Sequence, residues 1–149
     1  VEVFAAGPGN TDEPAHDHGI RVHRIKANDR AAYHYYQLAA AHGFAPAQFN
    51  LAQMIEKGRG TPKDVKTAFG LYLKSAQQGF GPAQERVSVM YERGEGVAVN
   101  AEQAYFWSTV AEGQKQTREK ILAARLSPEA AAQTRQSAKD WKPVLSASR

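Results

Sequence analysis

A segment of 36 residues occurs twice in succession in this chain, over 44–79 and 80–115. At equal offset the two copies share ten identities, which are Phe44/Phe80, Pro46/Pro82, Ala47/Ala83, Gln48/Gln84, Met54/Met90, Glu56/Glu92, Gly58/Gly94, Gly60/Gly96, Ala68/Ala104 and Gln78/Gln114. A partial copy precedes them: the residues one period before Asp64, Ala68, Leu71 and Gly79 are Asn28, Ala32, Tyr35 and Gly43. A fixed period of this size indicates stacked supersecondary units rather than one globular domain.

Each full copy is predicted to be a pair of antiparallel helices. The first helix is predicted to start at Pro46 or Pro82. Proline has no amide hydrogen, and it is tolerated at the first helical position because an amide there has no partner within the helix. A short glycine-rich turn then reverses the chain, Gly58-Arg59-Gly60 in one copy and Gly94-Glu95-Gly96 in the next. No stretch of useful length alternates apolar and polar residues as a strand does.

The second helix of each unit carries capping signals at both ends. The side chains of Asn28, Asp64 and Asn100 share one phase and can accept hydrogen bonds from free amides of the first turn. Gln103 follows Asn100 at the spacing of a capping box. These helices are predicted to end near three glycines, Gly43, Gly79 and Gly113.

The sequence after Gln114 departs from the period. Ser127-Pro128-Glu129 is a strong helix start, so we expect helices over 115–125 and 128–141, with Trp141 and Pro143 closing the array. Eight of the nineteen basic residues fall in 114–149, against only three acidic ones. We interpret this segment as the polar cap that the last repeat of an array needs. Nucleic-acid binding by the basic tail is an alternative that we do not favour.

The predicted fold is therefore all-α, an α/α solenoid of helix-hairpin repeats with a C-terminal helical cap. Residues 1–23, rich in Gly, Pro, Asp, Asn and His, are predicted to be irregular. The expected segments are an irregular segment or degenerate first repeat over 1–27, the second helix of a partial repeat over 28–43, full repeats over 44–79 and 80–114, and capping helices with a tail over 115–149.

Composition and motifs argue against several function classes. Cysteine is absent, so disulfides and thiolate metal sites are excluded. No apolar run approaches the length of a membrane span, and the first residues do not have the pattern of a signal peptide. No G-x-S-x-G, phosphate loop or HExxH motif occurs, so we expect neither catalysis nor a cofactor.

One cluster keeps an enzymatic alternative open. His16, His18 and His23 lie near the acidic residues Asp12, Glu13 and Asp17. A metal-dependent hydrolase using this cluster is the alternative to a binding module. His-x-His spacing is a weak signal by itself, and surface histidines are the simpler interpretation.

These repeats resemble the Sel-one-like repeat (SLR) family, relatives of tetratricopeptide repeats. The positions that carry the resemblance are Ala47, Gln48, Leu51, Gly58, Gly60, Asp64, Ala68, Tyr72, Lys74, Ala76 and Gly79, then Ala83, Gln84, Tyr91, Gly94, Gly96, Val97, Ala104, Trp107 and Ala111, with Ala32, Tyr35, Tyr36, Ala39, Ala40 and Gly43 in the partial copy. The resemblance covers about residues 28–114. Unlike some bacterial members, this chain has no cysteine pair to staple each hairpin.

The resemblance implies a protein-binding module rather than an enzyme. Similar proteins are mostly bacterial adaptors and regulators, frequently periplasmic or secreted, which act in envelope signalling, host interaction or toxin immunity. Their first helices line a concave face, so residues there that differ between copies are candidates for partner recognition. In this chain they are Phe49, Asn50, Gln53, Glu85, Arg86 and Val89. An exposed Phe49 would be the strongest anchor.

A dense aromatic group marks the leading helix. Tyr35 and Tyr36 occupy the tryptophan–tyrosine positions of the repeat and are expected in the core, beside Tyr33 and His34. If no helix precedes them, part of their face needs a cover. We favour coverage by segment 1–23, and homodimerisation through this aromatic face is the second option.

Overall fold

The structure is a computed structural model that describes residues 14–111 and 116–145. Over these residues the chain is all-α, and no helix is both long and apolar enough to cross a membrane. The helices are α1 (Pro14–Ala41), α2 (Ala45–Lys57), α3 (Val65–Gln77), α4 (Gly81–Arg93), α5 (Ala101–Val110), α6 (Gln116–Ala123) and α7 (Pro128–Asp140). Each of α1 to α4 packs against the next, while α6 and α7 both pack against α5.

The first helix differs from the sequence prediction. Residues 14–23 are helical rather than irregular, and Asn28 lies inside α1 instead of capping it. The reason is visible one period later, where Gly58 and Gly60 adopt φ values of 71° and 74° to reverse the chain. Val22 and Arg24 stand at the corresponding positions. Without glycines there the turn does not form and the helix continues. Residues 1–13 lie outside the described residues.

The two complete hairpins, α2–α3 and α4–α5, begin and end close to the expected residues. Asp64 caps α3 by accepting from the Thr67 amide at 3.1 Å, and Asn100 caps α5 by accepting from the Gln103 amide at 3.0 Å. The capping box is only half formed, because the Asn100 amide donates to the Tyr91 carbonyl oxygen. The predicted end of α5 at Gly113 lies outside the described residues, and α5 ends at Val110.

The glycine turns also set the spacing between repeats. A Cβ atom on Gly60 would lie 2.5 Å from the carbonyl oxygen of Asp29, and one on Gly96 would lie 2.5 Å from that of Val65. Asp29 and Val65 are themselves one period apart. The second glycine of each turn is therefore needed both for its positive φ and for close approach to the preceding repeat.

Residues that recur at equal offset in the two full repeats form much of the core. Its alanines are buried and let the helices approach closely, while Tyr72, Val87 and Met90 fill the space between layers. Two buried glutamines connect successive repeats through their side chains. The side-chain amide of Gln48 donates to the Ala40 carbonyl oxygen, and the side-chain amide of Gln84 donates to the Ala76 carbonyl oxygen at 3.1 Å. The alanines and glutamines of the repeat signature are buried, and its glycines lie in turns at positive φ; the signature consists of Ala47, Gln48, Gly58, Gly60, Ala68, Ala83, Gln84, Gly94, Gly96 and Ala104.

The C-terminal helices cover the last repeat. Leu122 of α6 is fully buried against Ala104, Tyr105 and Ala131. Arg118 and Arg125 pair with Glu92 of α4, with N–O distances of 2.7 Å and 3.5 Å. Part of the basic charge of the tail thus attaches the cap to the array.

Candidate protein-interaction surface

Two of the predicted recognition residues of α2 and α4 are held by packing or ion pairs within the array. Phe49 is half-buried, and its ring centroid lies 5.4 Å from that of Tyr72 and 5.3 Å from that of Phe80. It belongs to the packing between α2, α3 and the start of α4. Phe49 is therefore largely engaged in packing within the array, and its role as an anchor for a partner stays a prediction.

Arg86 is held by a network that joins two repeats. Its guanidinium pairs with Glu56 of α2 and, at 2.7 Å, with Glu95 of the following turn. The Tyr72 hydroxyl donates to the same Glu56 carboxylate at 2.8 Å, and the guanidinium lies 5.9 Å from the Tyr72 ring centroid. Arg86 thus makes a contact between repeats that Asn50 does not repeat one period earlier, and its role in partner binding stays a prediction.

The network perturbs the titration of its members. Burial raises the pKa of Tyr72 well above its usual value, and the hydrogen bond to Glu56 raises this pKa further. Burial alone would lower the pKa of Arg86, but its hydrogen bonds and charge interactions with Glu56 and then Glu95 raise that pKa above its usual value. Both groups therefore keep their protonated forms at neutral pH.

A cavity opens where the preceding repeat lacks this arginine. Asn50 occupies the position of Arg86 one period earlier, and Tyr36 occupies that of Tyr72. The shorter side chain leaves a cavity of about 190 Å³ between α1 and α2. Its lining residues are Ala32, Tyr36, Asn50, Gln53, Met54, Lys57 and Arg59. Asn50 and Gln53 thus line one cavity, and their role in partner binding stays a prediction.

The chemistry of this cavity suits a polar or acidic side chain. The amides of Asn50 and Gln53 can donate hydrogen bonds, and Lys57 adds an exposed cation at the rim. Arg59 is paired with Asp29 at 2.8 Å. On α4, Glu85 is exposed and Val89 is half-buried.

The aromatic group of α1 is only partly covered. Tyr33 and Tyr36 pack against the core, whereas Tyr35 is 67% exposed and His34 is exposed. The position of Tyr35 corresponds to Leu71, which lies beside α2 in the next repeat. Residues 14–23 extend α1 away from Tyr35, and residues 1–13, the rest of the segment that we expect to cover it, lie outside the described residues.

The described residues contain no group of three or more His, Asp and Glu side chains placed to hold a metal ion. His16, Asp17, His18 and His23 lie in α1, but their side chains are outside the described part of the structure. Asp12 and Glu13 lie outside the described residues altogether.

Comparison with known proteins identifies the repeat. The Sel1 repeat model matches residues 15–44, 45–80 and 81–111. Among curated proteins, the DAP3-binding cell death enhancer 1 proteins of Rattus norvegicus and Mus musculus are each 44% identical over 50 residues, or 33% of this chain. This chain covers only 10% of the length of these two relatives.

Solved structures show the same fold. The structure of c5321, a protective antigen present in uropathogenic Escherichia coli strains displaying an SLR fold, matches with a TM-score of 0.68 and 28% identity. That match covers 75% of this chain and 26% of c5321. A Sel1 repeat protein from Oxalobacter formigenes matches with a TM-score of 0.58 and 26% identity, covering 84% of this chain and 55% of that protein. These matches confirm the resemblance and the all-α helical repeat fold.

Proposed function

Because this chain belongs to the Sel1 repeat family, we propose that it is a non-enzymatic adaptor that binds another protein through the surface formed by α2 and α4. The family generally serves as a scaffold for protein interactions. We propose that this adaptor acts in envelope signalling, host interaction or toxin immunity.

The observation that carries the proposal is the difference between positions 50 and 86. Between the two full repeats, Arg86 of the second lies over the Tyr72 ring of the first and pairs with its Glu56. In the preceding repeat Asn50 leaves the equivalent space open beside Tyr36. The space beside Tyr72 is filled by Arg86, whereas the equivalent space beside Tyr36 is open. The open copy is a polar cavity that a side chain of the partner can enter.

Site-specific crosslinking tests the proposal. A photoreactive phenylalanine analogue is placed at Gln53 or at Glu85, both on the proposed surface, and at Lys66 of α3 as the matched control. We expect one partner from the source cell to be crosslinked from positions 53 and 85 and not from position 66. The pair Asn50→Ala and Gln53→Ala should weaken the same interaction roughly tenfold, since a few anchors carry most of the affinity.

Circular dichroism of each variant separates lost binding from lost folding. Equal crosslinking from position 66, or an unchanged affinity of the Asn50→Ala/Gln53→Ala variant, would overturn the assignment to this surface. Phe49 and Arg86 are unsuitable test positions, because their replacement would disturb the packing between repeats.

A further inference from the structure

The C-terminal segment lies against the turn between α3 and α4. The helix α7 ends at Asp140, and Trp141 adopts extended angles and packs its ring 5.7 Å from that of Trp107. Pro143 then lies over Gly79, and the Val144 amide donates to the Gln77 carbonyl oxygen at 2.6 Å. The chain thus binds its own segment 141–145 at this turn.

Two features of the turn make this contact favourable. Gln77 is the last residue of α3, so its carbonyl oxygen accepts no hydrogen bond within the helix and can accept one from another segment. Gly79 has a φ of 97° and no side chain, and a Cβ atom there would lie 3.3 Å from the Cβ atom of Pro143. The turn therefore offers one hydrogen-bond acceptor beside a flat surface that accommodates a proline ring.

The turn between α1 and α2 repeats this geometry. The Gly43 amide donates to the Ala40 carbonyl oxygen at 2.9 Å, as the Gly79 amide does to that of Ala76. Gly43 also has a positive φ, of 81°. Ala41 takes the place of Gln77, and no described residue donates a hydrogen bond to its carbonyl oxygen. The second copy of the site is therefore vacant within the described structure.

The surroundings of the vacant copy are more apolar than those of the occupied one. Leu38 is 69% exposed and replaces Lys74, which lines the pocket beside Val144. Phe44 is 61% exposed, whereas its equivalent Phe80 is half-buried against Phe49. Exposed apolar side chains next to a free acceptor suit a segment that carries an aliphatic residue beside a proline.

We propose that the α1–α2 turn binds an extended segment of a partner protein in which proline is followed by aliphatic residues. The ligand has the same chemistry as Lys142-Pro143-Val144-Leu145, which occupies the equivalent turn in the same molecule. A backbone amide of the ligand donates to the Ala41 carbonyl oxygen, its proline covers Gly43, and its aliphatic side chain contacts Leu38 and Phe44. This site lies apart from the surface of α2 and α4, so it does not depend on the function proposed above.

Binding of a labelled peptide to the whole chain tests the inference. The probe is Trp-Lys-Pro-Val-Leu, the sequence of residues 141–145, followed by fluorescence anisotropy. We expect saturable binding that Leu38→Glu and Phe44→Glu each weaken at least tenfold. Ile121→Glu, at an exposed apolar residue of α6, is the matched control and should leave the affinity unchanged. A probe with alanine in place of proline should bind at least tenfold more weakly.

The absence of saturable binding at millimolar peptide would overturn the proposal, and so would equal affinity of the chain and both variants. Sedimentation velocity addresses the other candidate occupant, a second copy of this chain. A dimer that Leu38→Glu dissociates, in a chain that does not bind the peptide, would assign the face to self-association and reject the peptide site. Circular dichroism confirms that the variants fold.

Discussion

Two buried tyrosines in this protein have opposite hydrogen-bonding states. The hydroxyl of Tyr72 donates to Glu56 at 2.8 Å, whereas the hydroxyl of Tyr105 has no partner among the described residues. Both side chains are fully buried. A bond to a charged acceptor contributes more than a neutral one, and an unsatisfied buried hydroxyl carries a desolvation cost.

Tyrosine-to-phenylalanine substitutions should therefore change stability in opposite directions. Tyr72→Phe is expected to lower the free energy of unfolding by about 1.5–3 kcal/mol, because Glu56 loses a donor. Tyr105→Phe removes the unsatisfied hydroxyl and should be neutral or stabilising by about 1 kcal/mol. Urea denaturation at neutral pH measures both, and each variant is the control for the other. A loss above about 1.5 kcal/mol in Tyr105→Phe would mean that the hydroxyl has a partner after all.

Residue-level prediction was good for packing within a repeat and missed the contacts that Arg86 makes between repeats. The alanine positions that recur at one period are buried in both full repeats and the glycine positions have positive φ as expected, because the local geometry of each full repeat imposes the same demand. Arg86 was assigned to recognition because it differs from Asn50 in the other copy. Its partner Glu56 is in another repeat, and the residue one period before Glu56 is Ile20, so the pairing exists only once. Such a contact between repeats cannot be derived from one position alone.

At the level of elements, helix ends were predictable where the signal is local. Asp64 and Asn100 cap α3 and α5 because the accepting oxygen and the donating amide lie within one turn of chain. The predicted start of α1 is wrong, because Pro14 is the first residue of the helix and Gly19 lies inside it without ending it. A glycine pair in the left-handed region follows α2 and α4, and residues 22 and 24, at the equivalent positions of α1, do not provide one.

Glycine-to-alanine substitutions should have opposite effects in turns and in helices. Gly60→Ala combines a strained φ of 74° with a Cβ atom 2.5 Å from the Asp29 carbonyl oxygen, so a loss of more than about 2 kcal/mol is expected. Gly70 lies inside α3, and a Cβ atom there would meet nothing within 4 Å. Gly70→Ala should therefore stabilise by about 0.5–1 kcal/mol. Thermal unfolding of the two variants compares them, and a stabilised Gly60→Ala protein would refute the close approach between repeats.

At the level of the whole molecule, the packing is that of a one-dimensional array with unequal ends. Helices contact mainly their neighbours in sequence, and the buried residues fall into two clusters. The larger cluster joins α1 to α5, and the smaller one joins α5 to α6 and α7. At the other end, Tyr35 and Leu38 of α1 are 67% and 69% exposed. Coverage of array ends depends on residues far apart in sequence, so the period alone could not predict it.

Because the core consists of two clusters, a substitution in one cluster should destabilise mainly the helices that form it. Leu122 is fully buried in the smaller cluster, so Leu122→Ala should cost about 2–5 kcal/mol. In an array coupled through nearest neighbours this loss stays near the interface where it arises. Amide hydrogen exchange should therefore accelerate in α5 to α7 and remain unchanged in α2 and α3. Leu51→Ala, in the larger cluster, is the matched control and should accelerate exchange in α2 and α3. Uniform acceleration from α2 to α7 in the Leu122→Ala protein would show that the chain unfolds as one cooperative unit, with repeats and cap inseparable in stability.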